Sequence, residues 1–288
     1  MIWISDEWKD YEVLDTSDGE RLERWGKYTL VRPDPQVIWN TPHSHGGWKN
    51  YDARYVRSST GGGHWSEHRL PDSWQIRYKD YLTFNVKPMN FKHTGVFPEQ
   101  AANWDFIREK VASANRPIRV LNLFAYSGGA TLAAAAGGAE VYHVDASKGM
   151  VAWAKENAKA SGLADRPIHW IVDDCGKFIQ REIRRGRRYD GIIMDPPSYG
   201  RGPSGEIWKM ETSFYPFLIE VGKLLTDNPL FVIINSYTTG LAPSAVGYAS
   251  DTVFGALHGG STAVGELGLP VQSTGFILPC GAAGRWTP

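Results

Sequence analysis

Arg119-Val120-Leu121-Asn122-Leu123-Phe124-Ala125-Tyr126-Ser127-Gly128-Gly129-Ala130 is the stretch on which the fold turns. The apolar run from Arg119 to Phe124 reads as a buried strand, and the small residues from Gly128 to Ala136 read as a helix. The glycine pair lets the backbone turn sharply between them and brings amide groups close to a ligand. The dinucleotide pattern Gly-x-Gly-x-x-Gly is absent, because Tyr126 stands where an early glycine would be and no third glycine follows at the right spacing. A pyrophosphate needs that close approach and a methionine tail does not, so the turn favours a cofactor that carries an amino acid. A tight strand-to-helix turn that holds no ligand stays open as the alternative.

Downstream, strands alternate with helices. Glu140–Asp145 is the second strand and Lys148–Ser161 the second helix. Ile168–Val172 is the third strand, with a helix from Gly176 to about Arg185. Asp190–Met194 is the fourth strand. Glu211–Leu225 is an amphipathic helix with Phe214, Phe217, Leu218, Val221, Leu224 and Leu225 on one stripe. Leu230–Ile234 is a fifth strand and Pro243–Leu257 a further helix, with strand-like pieces at 264–267 and 276–278. Strict alternation over this length predicts a Rossmann-like α/β fold, a parallel sheet covered on both faces.

In such a sheet, ligands sit at the carboxyl ends of the strands, beside the point where strand order reverses. Asp145 ends the second strand about 20 residues beyond the glycine turn, the place from which a carboxylate accepts ribose hydroxyls. Asp145 or Ser147 could instead cap the helix that follows. Asp173-Asp174 ends the third strand: Asp174 is assigned the exocyclic amine of adenine and Asp173 the helix cap, with the reverse left open. The fourth strand runs into Asp195-Pro196-Pro197-Ser198-Tyr199-Gly200. Two prolines make a stiff loop without backbone donors, whose carbonyls and Asp195 carboxylate face an acceptor while Tyr199 stacks on its ring.

Upstream of residue 118 the texture changes. Tryptophans are dense (Trp3, Trp8, Trp25, Trp39, Trp48, Trp65, Trp74, Trp104), and Tyr28–Val31 and Tyr81–Val86 alternate as strands do, punctuated by Pro and Gly. The expected layout is a small β-rich N-terminal lobe over 1–98, a linking helix over 99–118 and the Rossmann-like domain over 119–288. The chain carries equal numbers of basic and acidic residues, 31 each, so a nucleic acid would be held by a local patch and by base contacts. Two cysteines, Cys175 and Cys280, do not make a disulfide framework. No apolar run is long enough to span a bilayer, and Met1–Asp10 lacks the apolar core of a secretory signal, so a cytoplasmic location is expected.

The run from Val120 through Tyr199 resembles the catalytic domain of the 23S ribosomal RNA methyltransferases, especially the branch described as cytosine carbon-5 methyltransferase-like. The matching stretches are Leu121–Gly129, Val144-Asp145-Ala146-Ser147-Lys148, Glu156-Asn157-Ala158 and Asp195-Pro196-Pro197-Ser198, with Gly95-Val96-Phe97-Pro98-Glu99-Gln100 ahead of them. The resemblance implies S-adenosyl-L-methionine as cofactor and RNA as substrate. It also implies cofactor contacts from Asn122, Phe124, Tyr126, Ser127, Gly128, Asp145, Ala146, Asp173 and Asp174, and from Gln100, and an acceptor site at Asp195, Pro196, Pro197, Ser198 and Tyr199. Two features depart from that family. No PUA-type RNA-binding domain is recognised in Met1–Asn90, and Asn235-Ser236-Tyr237-Thr238 stands where the carbon-5 enzymes carry a nucleophilic cysteine.

Among other candidates, His43, His45, His64 and His68 lie in Gly-rich loops without cysteine partners and are read as loop residues rather than metal ligands. Lys177, Arg181, Arg184, Arg185, Arg187 and Arg188 form a basic run, read first as a solvated helix end and second as an RNA contact. The competing functions are a methyltransferase for a small molecule or protein, a nicotinamide-dependent oxidoreductase, and a non-catalytic RNA-binding scaffold.

Overall fold

A computed structural model describes the chain except residues 59–61, 67–68 and 202–206. By packing it divides into two units, Met1–Trp3 with Ala102–Leu267 and Gly281–Pro288, and Ile4–Ala101 with Gly268–Cys280.

In the first unit, α1 (Ala101–Ala112) leads into β1 (Arg119–Leu123), α2 (Gly129–Ala136), β2 (Glu140–Asp145), α3 (Lys148–Ala160), β3 (Ile168–Val172), α4 (Cys175–Arg184), β4 (Gly191–Met194), α5 (Met210–Gly222), β5 (Phe231–Ser236) and α6 (Pro243–Ser250). The strands β6 (Ser261–Pro270) and β7 (Ile277–Thr287) follow, in this unit as far as Leu267 and from Gly281 on. β1 pairs in parallel with both β2 and β4, β2 with β3, and β4 with β5, whereas β7 is antiparallel to β5. Across the sheet the order is β3-β2-β1-β4-β5-β7-β6, then the short strand Ile2–Ile4. The chain steps outward from β1 to β3 and returns on the other side of β1 with β4, so the reversal lies between β1 and β4. The central strands are buried without alternation: Val120, Leu121, Leu123, Ile192 and Phe231–Ile234 are all essentially inaccessible, as a sheet covered on both faces requires.

The alternation read from the sequence is therefore present, with two local differences. Tyr199–Arg201 and Ile207–Lys209 pair as an antiparallel ribbon beyond the Asp-Pro-Pro loop. The helix expected over 243–257 breaks after Ser250 into a π-turn over Asp251–Gly255.

The second unit holds a five-stranded sheet of Tyr11–Ser17, Glu20–Trp25, Tyr28–Pro33, Ala53–Arg57 and Gly63–Ser66, and a ribbon of Trp74–Tyr78 with Leu82–Val86. Residues 268–280 pack here, and not with the Rossmann-like unit as a boundary near 118 implies. The reason is local: Gln272 N donates to Val13 O at 2.9 Å, Ser273 N to Leu14 O at 3.0 Å and Ser273 Oγ to Asp15 Oδ1 at 2.6 Å. The core of this unit is unusually ionic. Glu23, fully buried, accepts from Tyr11 Oη at 2.7 Å and from Arg32 Nε and Nη2 at 2.6 and 2.7 Å, with Arg21 alongside.

Candidate active site

The turn after β1 is held in a backbone shape that costs energy. Phe124 and Tyr126 both have positive φ, 55° and 50°, as does Gly128 at 93°. Two non-glycine residues in the left-handed region cost about 1–3 kcal/mol each, and such strain collects at functional sites. The glycines divide the work. Gly128 supplies the left-handed turn at the start of α2, whereas a Cβ on Gly129 would lie 2.5 Å from the Trp104 ring of α1. Asn157, buried on α3, pins the turn from behind by donating to Ser127 O at 2.9 Å.

The turn's amides are mostly consumed inside the protein. Phe124 N donates to Cys175 Sγ, Ala125 N to Val144 O, Tyr126 N to Asp145 Oδ2 and Gly128 N to Ala125 O. Of the glycine pair, the Gly128 amide is used in this internal wiring. This wiring is unlike a phosphate cradle, in which the amides must point outward.

Asp145 joins the first two strand ends. Its Oδ2 accepts from Tyr126 N and its Oδ1 from Ser147 N, each at 2.8 Å. Ser147 caps α3 by accepting from Met150 N, so the alternative cap at Asp145 is excluded. A carboxylate has about four lone-pair positions, and two backbone bonds leave acceptor capacity for vicinal hydroxyls. Burial pushes its pKa up, and the two backbone bonds act against that. Ala146 is exposed between Asp145 and Ser147.

At the third strand end the assignment of the cap is corrected. Because α4 begins at Cys175, Asp174 is its N-cap and its Oδ1 accepts from Lys177 N at 2.9 Å. Asp173 instead pairs with Arg181. Asp174 has a second oxygen besides the capping one.

Asn122 lies 3% exposed, beneath α2, and donates to Thr131 Oγ1 at 2.9 Å. Thr131 Oγ1 also bonds His143 Nδ1 at 2.9 Å, and burial drives the His143 pKa down to about 3. The Asn122 side chain thus belongs to a buried polar chain under the turn. Gln100, buried in the 3-10 turn Pro98–Gln100, belongs to the second unit.

At the fourth strand end, the prolines do not leave every carbonyl open. Pro197 O accepts from Trp208 Nε1 at 2.6 Å and Ser198 O from Met210 N at 3.1 Å, so the ribbon and α5 hold the loop by its second half. Trp208 packs in turn on Phe124 and Phe217, which couples this loop to the β1 turn. Tyr199 is 51% exposed. Ser198 Oγ accepts from Thr238 Oγ1 at 2.8 Å, tying the loop to the segment after β5.

Behind β5 a polar chain that the sequence does not announce joins three elements. Asn103 of α1 donates to Asn235 Oδ1 at 2.8 Å, and Arg285 of β7 donates to Asn103 Oδ1 at 2.8 Å while lying over the Trp3 and Phe106 rings. These residues are up to 182 positions apart, and no local pattern could have linked them. Neither cysteine is activated. Cys175 is buried, and burial pushes its thiol well above the usual range, as it does for Cys280.

The basic run is largely paired. Buried Glu182 accepts from Arg185, Arg187 and Tyr189, leaving Arg184 and Arg188 as the exposed cations of the run with no carboxylate partner among the described residues. In the second unit, His43 stacks on Trp48 at 4.3 Å and lies 3.2 Å from Asp18, and His45 caps a 3-10 turn by accepting from Gly47 N. His64 is in the strand Gly63–Ser66, and His68 lies outside the described residues.

A sheet of this order, with acidic side chains at the ends of β2, β3 and β4 around a strained turn after β1, defines a class I Rossmann-like transferase site. The chain belongs to the S-adenosylmethionine-dependent methyltransferase family, whose model matches residues 20–235. A SAM-dependent methyltransferase structure from Agrobacterium tumefaciens is 37% identical, covering all of this chain and 93% of that one with a TM-score of 0.93. A chain from Streptococcus mutans, 18% identical with a TM-score of 0.73, shares the fold. The "Ribosomal RNA large subunit methyltransferase K/L" of Shewanella frigidimarina is 30% identical over 155 residues, and that of Shewanella baltica 34% over 132. The matches cover 53% and 46% of this chain, but only 21% and 17% of those longer proteins. The cofactor of the family is S-adenosylmethionine, and a carboxylate with spare acceptors beside a non-phosphate turn fits its ribose and its amino-acid tail.

Proposed function

We propose that this chain methylates a base of ribosomal RNA in the cytoplasm, by direct attack of a nitrogen or oxygen lone pair on the cofactor's methyl group. The observation that carries the reading is the convergence of the Phe124–Gly128 turn, Asp145 and the Asp195-Pro196-Pro197-Ser198 loop on the switch point between β1 and β4. The names of the Shewanella relatives support RNA as the substrate. Bound S-adenosylmethionine supplies a methyl on sulfonium, already attached to a good leaving group. Asp145 takes the ribose hydroxyls, Asp174 takes the adenine amine on the oxygen not used for capping, and Tyr126 and Ser127 flank the amino-acid tail. Asp195 and the carbonyls of Asp195 and Pro196 orient the acceptor, with Tyr199 on its face. The acceptor's lone pair forms the new bond to carbon as the sulfur–carbon bond breaks, and the acceptor's proton leaves to solvent. Holding the partners in line supplies on the order of 7 kcal/mol of the barrier reduction.

No thiol stands where the carbon-5 enzymes carry their nucleophile. Asn235–Thr238 occupies the expected place, and both thiols are held protonated by burial. Transfer of labelled methyl to total RNA from a strain lacking the gene, followed by nucleoside analysis, tests the reading. The Cys175→Ser, Cys280→Ser double variant should retain transfer and trap no complex with 5-fluorocytosine RNA. A trapped adduct would reinstate carbon-5 chemistry, and unlabelled RNA would shift the acceptor to a small molecule or protein.

A further inference from the structure

A cavity lies between the start of α5 and the segment after β5. Its volume is about 310 Å³, with Phe214 and Leu241 on the apolar side and exposed Glu211, Tyr215, Thr239 and Ala245 around it. That is the small end of ligand pockets, suited to one ring system. None of Phe124–Gly128, Asp145, Asp174 or Asp195 lines it, so it is separate from the cofactor-side strand ends. Two of its other walls reach the loop through one residue: Thr238 Oγ1 donates to Ser198 Oγ at 2.8 Å, and Met210 N to Ser198 O at 3.1 Å.

We propose that this cavity receives the nucleobase next to the acceptor in the RNA chain, stacked on Tyr215 and read by Glu211. The inference rests on RNA being the substrate and adds a subsite to that reading. The apolar side and the half-exposed Tyr215 ring suit a flat aromatic body. A carboxylate in the lining accepts hydrogen bonds and offers none, so it selects an edge presenting N–H donors, as guanine does with its ring N–H and amino group. The same charge repels phosphate, which keeps the sugar-phosphate backbone outside and only the base inside. Continuity through Ser198 places the occupant beside the acceptor, so two adjacent bases are splayed into neighbouring sites.

The probe is a short oligoribonucleotide carrying the nucleotide identified by the methyl-labelling experiment, with the neighbouring base intact or abasic, used with the full chain. Ala245→Leu adds bulk to the lining from an exposed helical position, and Glu211→Gln removes the charge while keeping the shape. Ala245→Leu should lower kcat/KM on intact RNA roughly ten- to a hundredfold, the scale of one lost base stack, and leave S-adenosylmethionine affinity unchanged. The abasic substrate should cost the unaltered protein the same factor and cost Ala245→Leu nothing more. Glu211→Gln, which cannot block the cavity, should reduce the preference among neighbouring bases. Unchanged kcat/KM and preference in both variants on RNA that is methylated would overturn the subsite alone, as would an abasic penalty equal in the unaltered and Ala245→Leu proteins. If no RNA accepts label, the RNA reading fails and takes the subsite with it.

Discussion

The two units bury the same kinds of charged residue to opposite ends. In the β-rich unit, Glu23 and Arg32 are at most 2% exposed and satisfied by one another, by Tyr11 and by Arg21. In the Rossmann-like unit, Asp145 and Asp174 stand partly exposed at strand ends, each anchored by backbone N–H groups alone, with acceptor capacity left over. A charge saturated by side chains is structural, whereas a charge oriented by the backbone and left unsaturated is ready for a ligand. Glu182 is the useful intermediate, since it sits in the Rossmann-like unit yet is buried and saturated by Arg185, Arg187 and Tyr189.

The sharpest way to break this contrast is Glu23→Ala, which strands the buried Arg32 guanidinium and leaves Arg21 to Asp34. It should destabilise the β-rich unit by about 3–5 kcal/mol in denaturant unfolding, and a loss under 1 kcal/mol would mean the cluster is not structural. The pH dependence sharpens the same point. Burial raises the Glu23 pKa, but Arg21 and Arg32 outweigh it and bring the group down to about 2 from 4.5. Its stabilisation is full above pH 4.5 and disappears as pH falls toward 2. His143, driven down to about 3 from 6.5 by burial, is neutral when folded and charges on unfolding. The Rossmann-like unit therefore begins to lose stability below pH 6.5. So does the β-rich unit through His93, driven down to about 3 from 6.5 by burial and by Arg32 and Lys92. Only the β-rich unit adds the Glu23 loss below pH 4.5, so its near-ultraviolet signals should steepen there in an acid titration, and Glu23→Gln should remove that steepening.

Asp195→Ala comes next in size. It should lower the methyl-transfer rate about 10²–10³-fold, the cost of one lost orienting group, with S-adenosylmethionine affinity retained. Intact turnover with lost cofactor binding would show that the loop does not face the acceptor. Asp145→Ala should weaken S-adenosylmethionine binding by about 1.5–3 kcal/mol in calorimetry, and unchanged affinity would remove Asp145 from the site. The smallest effect is expected on α4. Charge reversal at Arg184 and Arg188 should flatten the salt dependence of RNA binding by about two phosphate contacts without altering stability, whereas reversal at Arg185 and Arg187 should act on stability through Glu182. Equal effects of the two pairs on RNA would contradict the division between saturated and free cations.

Much of the fold was legible because its signals are local. A strand followed by a glycine turn and a helix, repeated with acidic residues at successive strand ends, specifies a parallel sheet and a ligand site at its carboxyl edge. Asp145, Asp174 and Asp195 could be placed at strand ends from position in the chain alone. Which oxygen faces what could not: the exchange of cap and pair between Asp173 and Asp174 depends on whether α4 starts at Cys175 or Gly176, a one-residue difference that periodicity does not resolve. The face taken by the Asn122 side chain was not legible either, because it follows from what packs over it, here Thr131 and His143. The Asn235–Asn103–Arg285 chain and the capture of residues 268–280 by the β-rich unit were likewise beyond the sequence, since contacts between distant segments exist only after the backbone has closed the loops that join them. Sequence determined the order of the strands' chemistry along the chain. The tertiary structure decided which polar atoms were consumed in holding the site together and which were left for a ligand, because hydrogen-bond saturation is a property of packed neighbours and not of residue type.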